Sequence, residues 1–129
     1  MVESENFYQN IFTSLVDGIL IISADLKVTK VNQASEEIFQ RSRRSLEGGS
    51  LSKLFPDQPN IIKKARQSIT EGISFHHVEG IGCHKSKNEQ FTVNLTFSPL
   101  IKDDLEITAG LILIQDTSLI KELQEISQQ

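Results

Sequence analysis

The side chains that could do chemistry are few, and they lie close together in the chain. Its 129 residues include three histidines and a single cysteine, residue types that bind zinc or haem iron when a fold brings them together. A zinc site made from His76, Cys83 and His84 would lack paired ligand spacing and a clear fourth ligand, so we expect no metal site. Because one cysteine cannot form a disulfide within the chain, a reducing compartment is expected.

Motifs of catalysis are missing from the sequence. There is no Gly-x-Ser-x-Gly elbow, no phosphate-binding glycine loop and no zinc-protease motif, and the phosphoacceptor and ATP-binding motifs of a kinase are also absent. We therefore expect that this chain is not itself an enzyme, and that any catalysis belongs to another part of a parent protein. The net charge of −4 argues against a nucleic-acid partner, which would favour a basic face.

Membrane association of this segment is not expected. No apolar run approaches the roughly 20 residues that are needed to cross a bilayer. The N-terminus also lacks the basic start of a signal peptide. These features predict a cytoplasmic domain, and they leave open a membrane segment elsewhere in a longer parent.

A polar run joins two apolar patterns of different period near the C-terminus. Residues 111–114 form a continuous apolar run that suits a buried strand. Asp116, Thr117 and Ser118 follow, and their side-chain oxygens can cap a helix. The next apolar residues recur at helical spacing, at Leu119, Leu123 and Ile126. A core strand that feeds into an amphipathic helix predicts an output joint, and we expect the helix to lead into a further domain.

The elements that must position these residues follow from hydrophobic period and from turn residues. Predicted strands cover residues 19–22, 28–31, 75–83, 91–98 and 107–115. The first predicted helix has an apolar stripe at Phe7, Ile11 and Leu15, or at Tyr8, Phe12 and Leu15. Asn32 is expected to cap the second helix, and short helical turns follow near residues 42–48 and 50–56. A longer helix is expected to be capped by Asn60 and ended by Gly72. Gly80 and Gly82 indicate a bulge or a close backbone approach, and Pro99 is expected to end its strand.

This order of elements predicts an α+β fold. Five strands joined mainly by hairpins form an antiparallel sheet, with short helices on one face and flanking N- and C-terminal helices. The first and last strands are apolar on both faces, so they should be central and covered on both sides. The middle helices would form one cover, and the terminal helices, a partner subunit or both would form the other.

Several segments resemble a known family in both order and spacing. They are the hairpin at residues 17–34, the short helices at 44–56 and the strand at 91–100 that ends in Phe-Ser-Pro-Leu. Over about residues 7–122 the chain resembles a PAS domain, in particular those of nitrogen-regulation-type sensor histidine kinases. The predicted organisation is an N-terminal amphipathic helix at 1–16, a PAS core at 17–118 and the start of an output helix at 119–129.

The resemblance implies roles for the joint. In this family the last strand usually ends in Asp, an aliphatic residue and Thr or Ser, and this tripeptide couples the sheet to an output helix. Asp116 and Ser118 match that pattern, whereas Thr117 replaces the aliphatic residue. The position four residues after the Asp, where the family typically has a basic residue, is occupied here by Ile120. The coupling contact is therefore expected to be shifted or weaker.

The resemblance also implies a pocket between the sheet and the long helix. Its candidate residues, which could equally be simple core, are Ile62, Ala65, Ile69, Phe91, Val93 and Leu95. Haem-binding members use a histidine of the long helix, and this helix has none, while only one of His76 and His77 on the next strand could face the pocket. Flavin-binding members use a cysteine near residues 51–55, which is missing here. We predict neither cofactor.

The function implied is that of a sensory module of a bacterial signal-transduction protein, most simply a two-component sensor histidine kinase. It would sense a small ligand or a partner and relay the change through dimerisation and the C-terminal helix to a downstream domain of the same parent chain. Candidate dimer contacts are Phe7, Ile11, Leu15, Leu119, Leu123 and Ile126. The alternatives are a haem- or flavin-dependent redox, gas or light sensor, and a ligand-free dimerisation module of a transcriptional regulator.

Overall fold

A computed structural model describes residues 17–83, 90–101 and 106–117 of the chain. Within these residues the strands are β1 (Gly18–Ser23), β2 (Val28–Val31), β3 (Phe75–Cys83), β4 (Gln90–Ile101) and β5 (Ile107–Asp116). The helices between β2 and β3 are α1 (Gln33–Phe39), α2 (Arg43–Leu46), α3 (Leu51–Leu54) and α4 (Pro59–Glu71). The two predicted terminal helices lie outside the described residues.

The strands form one antiparallel sheet in the order β2-β1-β5-β4-β3. The predicted α+β fold with a five-stranded antiparallel sheet and short helices is therefore confirmed. β5 lies in the centre and β1 is next to it, so both are interior strands, as their apolar sequences predicted. β4 is the other neighbour of β5. The edge strands of the sheet are β2 and β3.

Turn residues fix the ends of the helices. The Asn32 side chain accepts a hydrogen bond from the Ser35 amide and caps α1, as predicted. Gly72 ends α4 in the left-handed conformation, with φ of 69°, which a glycine adopts without a steric penalty. The predicted cap of α4 at Asn60 is wrong: the helix begins at Pro59, two residues before the start that this cap implies, because the fixed φ of proline suits the first helical position.

The short connection between β1 and β2 is closed by polar groups. Leu26 adopts a positive φ of 61° in this turn and still buries its side chain. The Ser23 hydroxyl donates a hydrogen bond to the Asp25 carboxylate, and this bond lowers the pKa of Asp25 below its usual value. A nearby Lys27 ammonium acts in the same direction. A turn therefore joins the two strands where the sequence predicted one.

The hydrophobic core lies between the inner sheet face and the helices. Alternate residues of β4 and β5 point into it, which is what the period-two pattern of residues 91–97 predicted. Its largest fully buried side chains include Phe39, Phe55, Phe97, Leu20, Ile22, Leu51, Leu95, Ile112 and Ile114.

The prediction that Pro99 ends its strand is wrong. β4 continues to Ile101, and Pro99 lies opposite Gly110 of β5. In an antiparallel sheet, successive residues direct their hydrogen-bonding groups to opposite sides. The carbonyl of Thr92 accepts a hydrogen bond from Thr117, so the even-numbered residues of β4 direct their backbone groups toward β5. The odd-numbered Pro99 therefore faces the side of β3. Since β3 begins at Phe75, which pairs with Phe97, the proline interrupts no ladder bond.

The irregularity of β3 lies away from its glycines. The register with β4 shifts between Phe75 and Val78, and His77 there has a positive φ of 55°. Because of this bulge, His76 and His77 are both exposed. The simple alternation that would have aimed one of them at the pocket does not hold.

The two glycines of β3 instead allow close approach from the core, the other outcome that the sequence predicted. A Cβ atom added to Gly80 would lie 2.7 Å from Cδ1 of Ile61. One added to Gly82 would overlap the ring of Phe91, its cross-strand partner. Aromatic and aliphatic groups therefore cover backbone that lacks side chains.

Candidate functional site

The residues predicted to line a pocket lie together between α4 and the inner face of β4. Ala65 and Ile69 are buried on the helix, while Ile62 is half-buried and packs at the margin. Phe91, Val93, Leu95 are buried on β4. All six belong to the hydrophobic core or pack against it. These side chains therefore pack as ordinary core, which was the alternative that the sequence left open. Their role as a ligand pocket stays a prediction.

A buried hydroxyl lies on the same face of α4. Ser68 is only 2% exposed, and its Oγ atom has no hydrogen-bond partner in the described part of the chain. It follows Ile61 by seven residues and Ala65 by three, so it shares their sheet-facing side of the helix. Burying a hydroxyl without a partner costs on the order of 1–3 kcal/mol. Ser68 is not among the predicted pocket residues, although a serine in an apolar helical stripe was the available signal.

Three aromatic rings close one end of this core. Phe39 lies edge-to-face on Phe55, with centroids 5.8 Å apart, and on Phe91 at 5.6 Å. Such pairs contribute about 0.5–1.5 kcal/mol beyond the area that they bury. The rings hold α1 and the region after α3 against β4. The Phe91 ring is thereby fixed beneath Gly82.

A second group missed as a site is the amide of Asn32, which was predicted only as a cap. Its Oδ1 atom accepts from the backbone amides of Ile19, at 2.9 Å, and Ser35, at 3.1 Å. Its Nδ2 atom donates to the carbonyl of Asp17 at 3.0 Å. Asn32 is fully buried, so it ties the start of β1, the end of β2 and α1 into one unit.

The predicted output joint is described as far as Thr117. Asp116 ends β5 opposite Val93 and is exposed. The Thr117 amide donates to the Thr92 carbonyl at 3.0 Å, and the Thr117 hydroxyl donates to that of Thr92, also at 3.0 Å. An aliphatic residue at position 117 could make only the first of these bonds. Ser118 lies outside the described residues.

The six candidate dimer contacts cannot be placed in the fold. Phe7, Ile11, Leu15, Leu119, Leu123 and Ile126 all lie outside the described residues. Their stripes remain predictions from the sequence.

Three of the four residues considered for metal or haem ligation lie within the described part of the chain. His76 and His77 are exposed, Cys83 is half-buried, and His84 lies outside the described residues. Among residues 17–83, 90–101 and 106–117, no three histidine, cysteine or acidic side chains come together as metal ligands could. The described helices also include none with the length and apolar character that a membrane crossing requires.

A hollow of about 80 Å³ opens on the outer face of the sheet. Asp17 lies at its rim, with Asn94 and Gln115 on the central strands. The bulge places His77 here, where its Nδ1 atom lies 3.5 Å from Nδ2 of Asn94. Thr96 and Leu113 complete its lining, which therefore mixes polar and apolar groups, in contrast to the apolar core on the other face.

Comparison with known families decides the identity of this fold. A family model described as a PAS domain matches residues 16–118. The chain belongs to the PAS family. The match includes the sheet, the four described helices, Asp116 and Thr117.

Solved PAS structures resemble this PAS domain over most of its length. The PAS domain of a two-component sensor histidine kinase is 14% identical, with a TM-score of 0.72, and the match covers 90% of this chain and 99% of that one. The PAS domain of nitrogen regulation protein NR(II) from Vibrio parahaemolyticus is 19% identical, with a TM-score of 0.69 and coverages of 84% and 96%.

A third relative comes from a transcriptional regulator. It is the PAS domain of a LuxR-family regulator from Burkholderia thailandensis, solved in complex with ethanol, at 22% identity and a TM-score of 0.68, with coverages of 86% and 97%. At these identities the likeness shows the fold alone. None of the curated proteins compared with the chain matches it.

Proposed function

We propose that this PAS domain is the sensory module of a bacterial two-component sensor histidine kinase, and that it acts in the cytoplasm. Support comes from the histidine-kinase relative, whose PAS domain this chain covers almost completely. The nitrogen-regulation relative supports the same assignment. The chain senses rather than catalyses, and the catalytic step belongs to a downstream domain of the parent.

The observation that carries the proposal is the unpartnered hydroxyl of Ser68 inside an apolar core. A ligand that enters between α4 and β4 would meet alkyl and aromatic side chains and this one polar group. The chemistry that fits is a small amphiphile with a short apolar body and one hydroxyl or carbonyl. The regulator relative that was solved with ethanol carries a molecule of this class.

The relay uses the end of the central strand. Val93 faces the core beside α4, and it pairs with Asp116 at the end of β5. Its neighbour Thr92 holds Thr117 through a backbone and a side-chain hydrogen bond. A ligand that displaces β4 therefore acts directly on the point where the chain leaves the sheet. The helix stripe of Leu119 and Leu123 is proposed to continue the signal as a paired helix in a homodimer.

A binding experiment tests the sensing role. We expect a series of primary alcohols from ethanol to hexan-1-ol to raise the melting temperature of the purified protein in a saturable manner. Ser68→Ala should weaken that binding about tenfold, because about 1.4 kcal/mol is a typical contribution of one buried hydrogen bond. Ser74→Ala, which changes an exposed serine, is the matched control. Equal binding by Ser68→Ala and the unaltered protein would contradict this site.

Association is tested separately. Leu119→Asp combined with Leu123→Asp should weaken a dimer measured by light scattering, while the circular dichroism of the sheet stays the same. An unchanged dimer would contradict the C-terminal stripe as a contact, and the Phe7 stripe would then be the remaining candidate.

A second candidate function is suggested by the LuxR-family relative, namely a PAS dimerisation module of a transcriptional regulator. The two roles differ in the output domain of the parent protein, so the sequence of the parent gene separates them. A cofactor-dependent sensor is separated by the visible absorption spectrum: a Soret band or flavin peaks at near-stoichiometric occupancy would replace the proposal of a small amphiphile.

A further inference from the structure

The bulge of β3 holds a histidine in a backbone conformation that residues other than glycine rarely adopt. His77 has a φ of 55°, and it lies within a strand. The other described residues of this kind, Leu26, Gln40 and Asp57, lie between the helices and strands. Holding a residue in this region costs on the order of 1–3 kcal/mol, and such residues cluster at functional sites. Bulges also redirect side chains, and this one places the His77 imidazole in the hollow on the outer face of the sheet.

The contact between His77 and Asn94 requires a neutral imidazole. Nδ2 of Asn94 lies 3.5 Å from Nδ1 of His77. A side-chain amide nitrogen can only donate, so Nδ1 must accept and carries no proton. The ring proton is therefore on Nε2. This hydrogen bond exists only while the imidazole is uncharged.

A second proton on the imidazole reverses what Asn94 must offer. Both ring nitrogens of an imidazolium are donors, so Nδ1–H would face the N–H groups of the asparagine. Rotation of the Asn94 amide presents Oδ1 instead, and the resulting bond is charge-assisted and roughly twice as strong as a neutral one. The same pair of side chains therefore has two arrangements, one for each charge state of the ring. Histidine is the side chain that ordinarily changes charge between about pH 5 and 8.

The charged groups that face the imidazole are carboxylates. Asp17, directly before β1, is the charged residue that lines the hollow together with His77. On β3 itself, Glu79 is exposed and pairs with Asn94 across the ladder. The lining contributed by β4 and β5 is uncharged and consists of Asn94, Thr96, Leu113 and Gln115. An imidazolium in this hollow therefore meets an ion-pair partner that a neutral ring does not use.

The hollow lies where β1 begins and β5 ends. Asp17 immediately precedes Gly18, the first residue of β1, which is paired with β5. Asn94 is paired with Gln115, next to the last residue of β5. A rearrangement of side chains in the hollow therefore acts on the start of one central strand and on the end of the other.

We propose that His77 and Asn94 form a proton-operated switch on the outer face of the sheet. With a neutral imidazole, Nδ1 accepts from Asn94 as the structure shows. A proton taken up from solvent by the exposed His77 makes the ring a donor, turns the Asn94 amide and pairs the imidazolium with the Asp17 carboxylate. The switch is independent of the proposed sensing of a small amphiphile, since it uses the opposite face of the sheet and does not involve Ser68.

NMR spectroscopy of the purified protein between pH 5 and 8 tests the switch. We expect the side-chain amide of Asn94 and the backbone amides of Gly18 and Gln115 to shift along one common titration curve. Circular dichroism melting at pH 7 first confirms that each variant below is folded.

Two histidine variants assign this curve. His77→Asn should abolish it at all three amides, because asparagine does not titrate and is among the residues that best accept a positive φ. His76→Asn is the matched control, since it removes a neighbouring exposed imidazole that does not line the hollow, and it should leave the curve unchanged. Asp17→Asn should abolish the shift of Gly18 while that of the Asn94 side chain remains.

The proposal is overturned if the Asn94 side-chain amide does not titrate in the unaltered protein, or if its titration persists in His77→Asn. Titration at Asn94 with no shift at Gly18 and Gln115 would describe an isolated surface histidine and contradict the switch. A curve at Gly18 that is the same in Asp17→Asn would also overturn it, because the ion pair would then not connect the imidazole to β1.

Discussion

Replacement of Asn32 by alanine is expected to destabilise the PAS core more than any ordinary surface change. The amides of Ile19 and Ser35 both donate to its side-chain oxygen, at 2.9 and 3.1 Å. Both amide groups are buried, and leaving either one without an acceptor would cost about 1–3 kcal/mol of folding stability. Loss of the donation to Asp17 adds to this. The sum is on the order of 3–5 kcal/mol, a large part of the 5–15 kcal/mol that is typical of a domain.

Urea unfolding followed by circular dichroism measures this effect. The midpoint should fall while the slope stays the same, because the change acts on native contacts. The melting temperature should drop by roughly 10 °C or more. Gln33→Ala, on the exposed neighbour of Asn32, should change stability by no more than about 0.5 kcal/mol. A loss below about 1 kcal/mol in Asn32→Ala would refute the reasoning that this amide organises β1, β2 and α1.

Three further outcomes follow from packing and electrostatics. Gly82→Ala should lower the free energy of unfolding in urea by about 1–3 kcal/mol, because the added Cβ would overlap the fixed ring of Phe91. Gly80→Ala should lower it less, because its Cβ meets the end of the flexible Ile61 side chain. Without ligand, Ser68→Ala should keep or raise the melting temperature, since it removes a buried hydroxyl with no partner. The bond from Ser23 lowers the pKa of Asp25, so its stabilisation is present above the usual carboxyl pKa and is lost as pH falls through the lowered value. Asp25→Asn should remove that component from the acid unfolding curve.

Local patterns in the sequence were enough to predict the architecture. The alternation at residues 91–97 and the apolar run at 19–22 reflect burial directly, so they predicted the strands and their central or inner positions. The errors arose where tertiary context overrides a local preference. Pro99 continues its strand because β3 has already ended on that side. Simple alternation would have directed one of His76 and His77 toward the core, but the bulge at His77 leaves both exposed.

The candidate site was predictable only in part. The residues predicted to line a pocket do lie together, because helix and strand faces follow from local period. The pairing of Thr92 with Thr117, and of Gln58 with Ile81, depends on the strand register and the path of a connection. Those are set by the whole core rather than by any short segment. Such cross-strand contacts become visible only in three dimensions.

The central claim is that a molecule bound between α4 and β4 acts on the exit of β5. An NMR titration of the amide resonances with butan-1-ol tests it most directly. The account predicts saturable shifts at Val93 and at Thr117, both weakened in Ser68→Ala, with the β2 residue Lys30 unmoved. Saturable binding that leaves Thr117 unchanged, or shifts that are identical in Ser68→Ala, would contradict it.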